Sequence, residues 1–420
     1  MGIGYPARCR PSVAERKKCR LYQQLAGCII LIFFAAMIWI NTLFAVLVLL
    51  LAAYSVLIFL YRKWFIRMKL YAVPAGFVPA TSFTVIIPAR DEEDNIGNCL
   101  HTILQQQYPS HLFEIIVIDD HSTDNTPVII EQLQQTHNNL RMIKLAEVLK
   151  GQQLNSYKKK AIELAIGQAN GEWIVTTDAD CAPAAQWLQY MAAYIQQHQS
   201  VFVAAPVVFN NTGSFLSIFQ SLDFMSLQGI TAASVSAGFH SMCNGANLAY
   251  HKKTFYEVGG FKGIDNIASG DDMLLMHKIK QRYPNNIGYV FAPEAVVSTA
   301  PMPTWKRFIN QRIRWASKAD KYNDKGIFWV LVLVYLLNFG ILFFVFTALY
   351  SKWMLLVWLW LIAVKTLVEL TFMLPVARFF KQEGLLNWFA LMQPFHITYT
   401  VVAGWLGKFG KYQWKGRTVK

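Results

Sequence analysis

Apolar positions along the chain fall into long charge-free runs at its two ends and short runs between them. Leu25 to Tyr61 holds no charged residue, Ile327 to Tyr350 holds none, and Trp353 to Ala377 holds only Lys365 and Glu369. A membrane-spanning helix needs about 20 apolar residues, so these runs predict spans. Leu25–Tyr61 is long enough for two. The polar pair Asn41–Thr42 near its middle predicts a tight hairpin of two short spans, with one long tilted helix as the alternative. Leu385–Gly407 is apolar but broken by Gln393, Pro394, His396 and Thr398, and is expected as a span or an interfacial helix. Lys365 and Glu369 lie four apart, share a helix face, and are expected to pair.

From about residue 80 to 325 the apolar runs shorten and charges appear, which predicts a soluble domain with its own core. Strands are expected at Phe83–Ile87, Glu114–Ile118, Arg141–Leu145, Trp173–Thr177 and Val201–Val208. Helical spacing is expected over Glu92–Gln106, Thr126–Gln135 and Tyr157–Ala169. Strands alternating with helices predict an α/β domain of βαβ units with a parallel sheet. In such sheets ligands bind beyond the carboxyl ends of the strands. The chain thus divides into a basic N-terminus (1–24), one or two spans (25–61), the soluble domain (80–325), spans at 327–350 and 353–377, the half-polar run 385–407, and a basic tail (408–420).

Composition narrows the class. Hydrophobic residues make up 54% and charged residues 15%, against roughly a quarter charged in soluble domains. Disordered, fibrous and ordinary secreted proteins are excluded. With 39 Lys and Arg against 25 Asp and Glu, the net charge is +14, which invites a nucleic-acid reading. The positions argue otherwise. Arg8, Arg10, Arg16, Lys17, Lys18 and Arg20 precede the first run; Arg62, Lys63, Arg67 and Lys69 follow it; Lys408, Lys411, Lys415, Arg417 and Lys420 close the chain. Positive charge beside membrane segments sets orientation. Basic residues on both flanks of 25–61 favour two cytoplasmic ends, hence the hairpin, a cytoplasmic soluble domain and a multi-pass membrane protein. No nucleic-acid partner is expected. The six cysteines are scattered without C-x-x-C spacing, so neither a zinc site nor a redox dithiol is signalled; they read as apolar fillers in a reducing compartment.

The candidate chemistry lies after the strands. The first is followed by Ala89-Arg90-Asp91-Glu92, the second by Asp119-Asp120-His121-Ser122, the fourth by Asp178-Ala179-Asp180. Each alone reads as a helix cap or a solvated turn. Together they bring carboxylates to one sheet edge, where like charges repel unless a cation joins them. Mg²⁺ binds through one or two carboxylates plus substrate phosphates, so a metal–diphosphate site is expected. G-x-x-x-x-G-K-[ST] is absent, and no G-x-G-x-x-G follows a predicted strand, which excludes a P-loop nucleotidase and disfavours a dinucleotide oxidoreductase.

The strings VIIPARDEEDNI (85–96), IIVIDDHSTDNT (115–126) and EWIVTTDADC (172–181) resemble the nucleotide-sugar half of membrane-embedded family-2 glycosyltransferases. CNGANLAYHKKTFYEVGGF (243–261) resembles that family's acceptor-side segment, SGDDMLL (269–275) its catalytic-base segment, and QRIRW (311–315) its Q-x-x-R-W motif. The resemblance covers about residues 80–320. It implies a Rossmann-like GT-A domain between transmembrane helices. It further implies inverting transfer of a hexose from a nucleoside diphosphate, a UDP-sugar first, to the hydroxyl of a lipid or polysaccharide acceptor. Pro88, Arg90, Glu92, Asp119, Asp120 and Lys158 would lie on the donor side; a solvated helix start is the plain alternative for Lys158. Asp178 would hold the sugar or ribose and, with Asp180, Mg²⁺ or Mn²⁺. Asp272 would be the base, with Asp271 beside it where relatives carry Glu-Asp. Arg314 would face the leaving diphosphate, and Gln311 and Trp315 would line the acceptor channel.

Residues 303–322 mix cations with Trp and Phe and also read as a membrane-surface helix. A haloacid-dehalogenase-like phosphatase would share Asp178-Ala179-Asp180, but Ala182 and Leu275 stand where its motifs need Thr or Val and Asp. A transporter or scaffold is disfavoured by few spans and many polar stations.

Overall fold

The computed structural model describes residues 13–151, 154–267, 269–318, 321, 324–349, 351–410, 412–414 and 417–419. Residues 1–12 of the basic N-terminus and Lys411, Lys415 and Lys420 of the tail lie outside the described residues.

Strands form where β-branched residues run together in β1 Phe83–Ala89, β2 Phe113–Asp119 and β4 Trp173–Thr176, and β3 Leu140–Lys144 extends the sheet beside β2. Further on come β5 Cys181–Pro183, β6 Phe202–Ala204, β7 Val207–Phe209, β8 Leu248–His251, β9 Ile287–Tyr289 and β10 Val297–Thr299. The main sheet has seven strands in the order β3-β2-β1-β4-β8-β6-β9, and β5-β10-β7 form a small second sheet. The parallel part, β3-β2-β1-β4, follows the expected βαβ logic. The sheet as a whole is mixed, correcting the expectation of a parallel one, because β8 runs antiparallel to both β4 and β6. Its first residue, Leu248, pairs with Thr176 at the end of β4, so the chain enters β8 from the rim where β4 leaves. The expected strand Val201–Val208 is two strands in two sheets. Pro206 lies between them, and without an N–H it cannot continue a ladder.

Strand side chains alternate between two cores. Val85, Ile87, Ile115, Val117 and Val175 pack on one face with helices Ile96–Leu104 and Trp187–His198. Ile86, Ile116, Ile118 and Ile174 pack on the other, in a core continuous with the long apolar helices. The domain and those helices therefore share one hydrophobic interior. Tyr61 on the N-terminal helix also meets His240 Nε2 at 2.8 Å.

Among the described residues, three helices are long and apolar enough to cross a membrane: Met37–Arg67, Lys325–Ala348 and Lys352–Phe379. The hairpin expected within 25–61 is not formed. One helix of 55 residues runs unbroken from Val13 to Arg67. Thr42, half of the expected turn, donates its hydroxyl to Ile38 O at 2.8 Å, so its polar group is satisfied within the helix. The basic flanks Arg16–Arg20 and Arg62–Arg67 therefore sit at opposite ends of one helix. The half-polar run forms the helix Phe389–Phe409.

Candidate active site

The rim is built at the carboxyl ends of β2, β1 and β4, adjacent and parallel. Asp91 and His121, just past β1 and β2, take left-handed backbone conformations with φ of 49° and 60°, which turns both loops sharply. The loops then lace together. Thr123 N donates to Asp91 Oδ1 at 2.8 Å, Glu92 N to Thr126 Oγ1 at 2.8 Å, and Asn125 N to Glu93 Oε2 at 3.0 Å. Asp91 and Glu93 are thereby committed to backbone amides. Glu92 accepts from Asn95 Nδ2 at 2.9 Å, at the start of its own helix. Pro88 is a strand residue facing Ile118 in the ladder.

Asp119 and Asp120 are buried at the end of β2. Burial raises the Asp119 pKa, against the opposing pull of Ser122, whose N–H lies 3.3 Å from Oδ1. Asp120 Oδ1 is 2.9 Å from His121 Nδ1, and its Oδ2 is 4.0 Å from the Arg90 guanidinium. The His121 ring meets Tyr157 edge-on at 5.9 Å, which carries the rim to the next residue, Lys158.

Lys158 joins two stations. Its ammonium is 2.8 Å from Asp178 Oδ1 and 3.3 Å from Asp271 Oδ2. Burial lowers a lysine pKa, but these two carboxylates outweigh it and hold Lys158 above the ordinary value. Burial likewise tends to raise Asp271, and Lys158 and Lys318 more than offset it, so Asp271 lies below the usual carboxylate range. The solvated-helix-start alternative for Lys158 does not hold. Its neighbour Lys159, 2% exposed, donates to the carbonyls of Ile264, Ile267 and Ser269 at 2.8, 2.5 and 3.0 Å, tying down the segment before Asp271.

Asp272 caps the helix Met273–Arg282. Its Oδ1 accepts from Met273 N at 2.7 Å and its Oδ2 from Gly245 N at 3.0 Å. Gly245 O in turn accepts from Thr176 Oγ1 at 2.8 Å, so the segment 243–261 is fastened to the end of β4. The helix-start reading of Asp272 thus holds, and its second oxygen ties the helix to Gly245.

Asp178, Asp180 and Cys181 bring their ligand atoms within 4.8 Å of one another. Two half-buried carboxylates suit a hard divalent cation that completes its shell with phosphate and water oxygens. The thiol does not suit it: burial, then Asp180 and Asp178, push the Cys181 pKa well up, so it stays protonated. Asp178 and Asp180 thus fit Mg²⁺ or Mn²⁺, and Cys181 is a neutral neighbour.

The Q-x-x-R-W segment lies on the helix Trp305–Ala316, capped by Thr304, which accepts from Arg307 N at 3.3 Å. Gln311 accepts from Arg312 at 2.9 Å, and Trp315 lies against the Arg312 guanidinium and meets Phe224 at a tilt, ring centres 6.2 Å apart. Arg314 lies close enough for its charge to act on Lys318, one turn onward. Lys318, unforeseen from sequence, is buried against Gly270, where an added Cβ would lie 3.2 Å from its Cδ. Burial pulls its pKa down to about 8; Asp272 opposes the fall and Arg314 adds to it. Asp178, Asp271, Asp272, Lys158 and Lys318 therefore share one cleft, with Arg314 acting on Lys318. Asp120 and Arg90 sit at its β2–β1 end, while Gln311 and Trp315 are held to one side by Arg312.

Residues 84–259 match Glycosyl transferase family 2, and residues 173–406 match Glycosyl transferase family group 2. The probable glycosyltransferase YdaM of Bacillus subtilis (strain 168) is 26% identical over 238 residues, 56% of this chain and 54% of that protein. The poly-beta-1,6-N-acetyl-D-glucosamine synthase of Staphylococcus epidermidis is 25% identical over 291 residues, 68% of this chain and 65% of that one. The chain thus spans between about half and two thirds of the length of these curated relatives. Among solved structures, the mannosyltransferase PcManGT from Pyrobaculum calidifontis, in complex with GDP-Man and Mn²⁺, superimposes with a TM-score of 0.53 at 19% identity. That match covers 86% of this chain and 99% of that one, and it bears on the fold.

Proposed function

This chain belongs to glycosyl transferase family group 2, and from that premise we propose that it moves a hexose from a nucleoside diphosphate, UDP first, to the hydroxyl of a membrane-associated lipid or polysaccharide, with inversion. One observation carries the reading: Lys158 bridges Asp178 and Asp271, so the diphosphate side and the base side meet at a single ammonium. Asp119, Asp120 and Arg90 hold the nucleoside at the β1–β2 end. Asp178 and Asp180 hold Mg²⁺ or Mn²⁺, which when bound offsets the charge of the diphosphate. Arg314 and Lys318 add fixed positive charge for the leaving group.

The acceptor oxygen attacks the anomeric carbon as the bond to the diphosphate breaks, and its proton passes to Asp272. Geometry favours Asp272 over Asp271 as base. Two backbone amides orient Asp272, whereas the salt bridge to Lys158 and the nearby charge of Lys318 reduce the proton affinity of Asp271. Gln311 and Trp315 border the acceptor. The three apolar helices support a multi-pass membrane protein, and the basic flanks of the later spans support a cytoplasmic site.

The test is a panel of UDP- and GDP-hexoses offered to the protein in membranes with Mg²⁺ or Mn²⁺, reading nucleotide release and product size. Asp180→Ala is expected to abolish metal-dependent nucleotide binding. Asp272→Asn is expected to keep that binding and lose about 10²–10⁴ in transfer, the usual worth of a general base. Absence of nucleotide release with every donor, or full turnover by Asp180→Ala, would sink the reading.

A further inference from the structure

Arg312 lies inside the Q-x-x-R-W segment at a position the motif leaves open, and it is only 4% exposed. One guanidinium nitrogen donates to Gln311 Oε1 at 2.9 Å and another to Asp223 Oδ2 at 2.6 Å. The guanidinium carbon stands 4.8 Å from the Phe308 ring centre and 4.2 Å from that of Trp315. A single cation therefore grips both motif side chains expected at the acceptor. Lysine cannot reproduce a planar fork stacked between two rings.

Asp223 is held in turn. Its other carboxylate oxygen accepts from the Tyr399 hydroxyl, and His396 Nε2 is 3.8 Å from the same oxygen. Tyr399 and His396 lie on the half-polar helix Phe389–Phe409. Gln393, three residues before His396, donates to Glu369 Oε2 at 2.7 Å and accepts from Lys365 at 2.9 Å. Farther along, Gly407 brings this helix against the end of the motif helix; a Cβ there would lie 2.7 Å from Ala316 Cβ, beside Trp315. The polar residues that interrupt this run in the sequence thus link an apolar helix, the catalytic domain and the motif.

We propose that Arg312 is the positioning residue of the Q-x-x-R-W segment, and that helix Phe389–Phe409, through Tyr399, His396 and Asp223, sets where Arg312 holds Gln311 and Trp315. The proposal rests on the acceptor-side reading of those two residues. It assigns the half-polar run a role in aligning the acceptor with the donor cleft.

The full-length protein in lipid nanodiscs, with Arg312→Met, Arg312→Lys and Tyr399→Phe, tests it through three readouts. These are hydroxyl-radical oxidation of Trp315 by mass spectrometry, nucleotide affinity, and nucleotide release with and without sugar transfer. Both Arg312 variants are expected to raise Trp315 oxidation and lower transfer about 100-fold, the scale of an ångström-size misplacement. Nucleotide affinity and release to water are expected to stay unchanged. Tyr399→Phe moves the same readouts less far. Unaltered Trp315 oxidation in Arg312→Met overturns the proposal, as does nucleotide affinity falling in step with transfer. Trp315 oxidation is read whether or not sugar is moved, so a wild-type protein inactive with every donor sinks the proposed reaction while the positioning role is still decided.

Discussion

Two carboxylates, Asp271 and Asp272, and two ammonium groups, Lys158 and Lys318, gather at one site, where Lys318 is buried and Asp271 and Lys158 are largely so. Removing one member of such a set leaves its partner uncompensated. Lys158→Met is expected to cost about 3 kcal/mol, the low end for a broken buried pair, because Asp178 is 39% exposed and regains water. Differential scanning fluorimetry in detergent measures it. Lys318 makes a pH-dependent prediction. Its folded pKa, about 8, lies below that of the unfolded chain. Above about pH 8 and up to about 10.4 the unfolded chain binds a proton that the folded one does not, so this group's contribution to stability rises with pH. The Tm of wild type minus that of Lys318→Met is therefore expected to rise as pH climbs from about 8 to about 10. A constant difference would show that Lys318 does not titrate there. The acidic stations were readable because each is a short string after an apolar run. Lys318 was not, because it reaches the cleft from beyond the end of a helix.

Among the elements, those with local causes agree with the pattern of residues. β1, β2 and β4 sit where β-branched runs lie, and the helix Tyr157–Gln168 ends within a residue of expectation. β8 escaped notice because LAYH is too short to declare a strand, and its direction depends on where the chain re-enters the sheet. Asn41–Thr42 misled because a hydroxyl that can serve a turn can equally serve the preceding helical carbonyl. The packing of helix Phe389–Phe409 on the motif helix is testable at Gly407. Its Cβ in Gly407→Ala meets Ala316 and the backbone of Ser317 within 3.0 Å, so the helices must part. A loss of about 1–3 kcal/mol, typical of overpacking, with lowered transfer, is expected from thermal melts and turnover. Gly384→Ala, with open space around it, is the control and should match wild type.

Across the whole molecule, the apolar helices are not a passive anchor. Lys365 is fully buried and donates to Glu369 at 2.6 Å, as their four-residue spacing predicts; Tyr54 from the N-terminal helix and Gln393 complete the set at 2.5 and 2.9 Å. Lys365→Met is expected to cost about 3–5 kcal/mol by stranding Glu369, and the double change Lys365→Met with Glu369→Leu should recover most of it. Melts in detergent separate the two outcomes. The linear order of residues determined the division into apolar ends and a βαβ centre, the acidic rim and the pairing of Lys365 with Glu369. Each follows from neighbours within a few positions, where backbone geometry dictates who meets whom. Tertiary structure alone decided that β8 runs antiparallel, that Lys158 spans Asp178 and Asp271, and that Arg312 is clamped from helix Phe389–Phe409. Those contacts join residues far apart along the chain, and what selects them is the shared burial of apolar faces and the need to neutralise charge inside it, neither of which leaves a local trace.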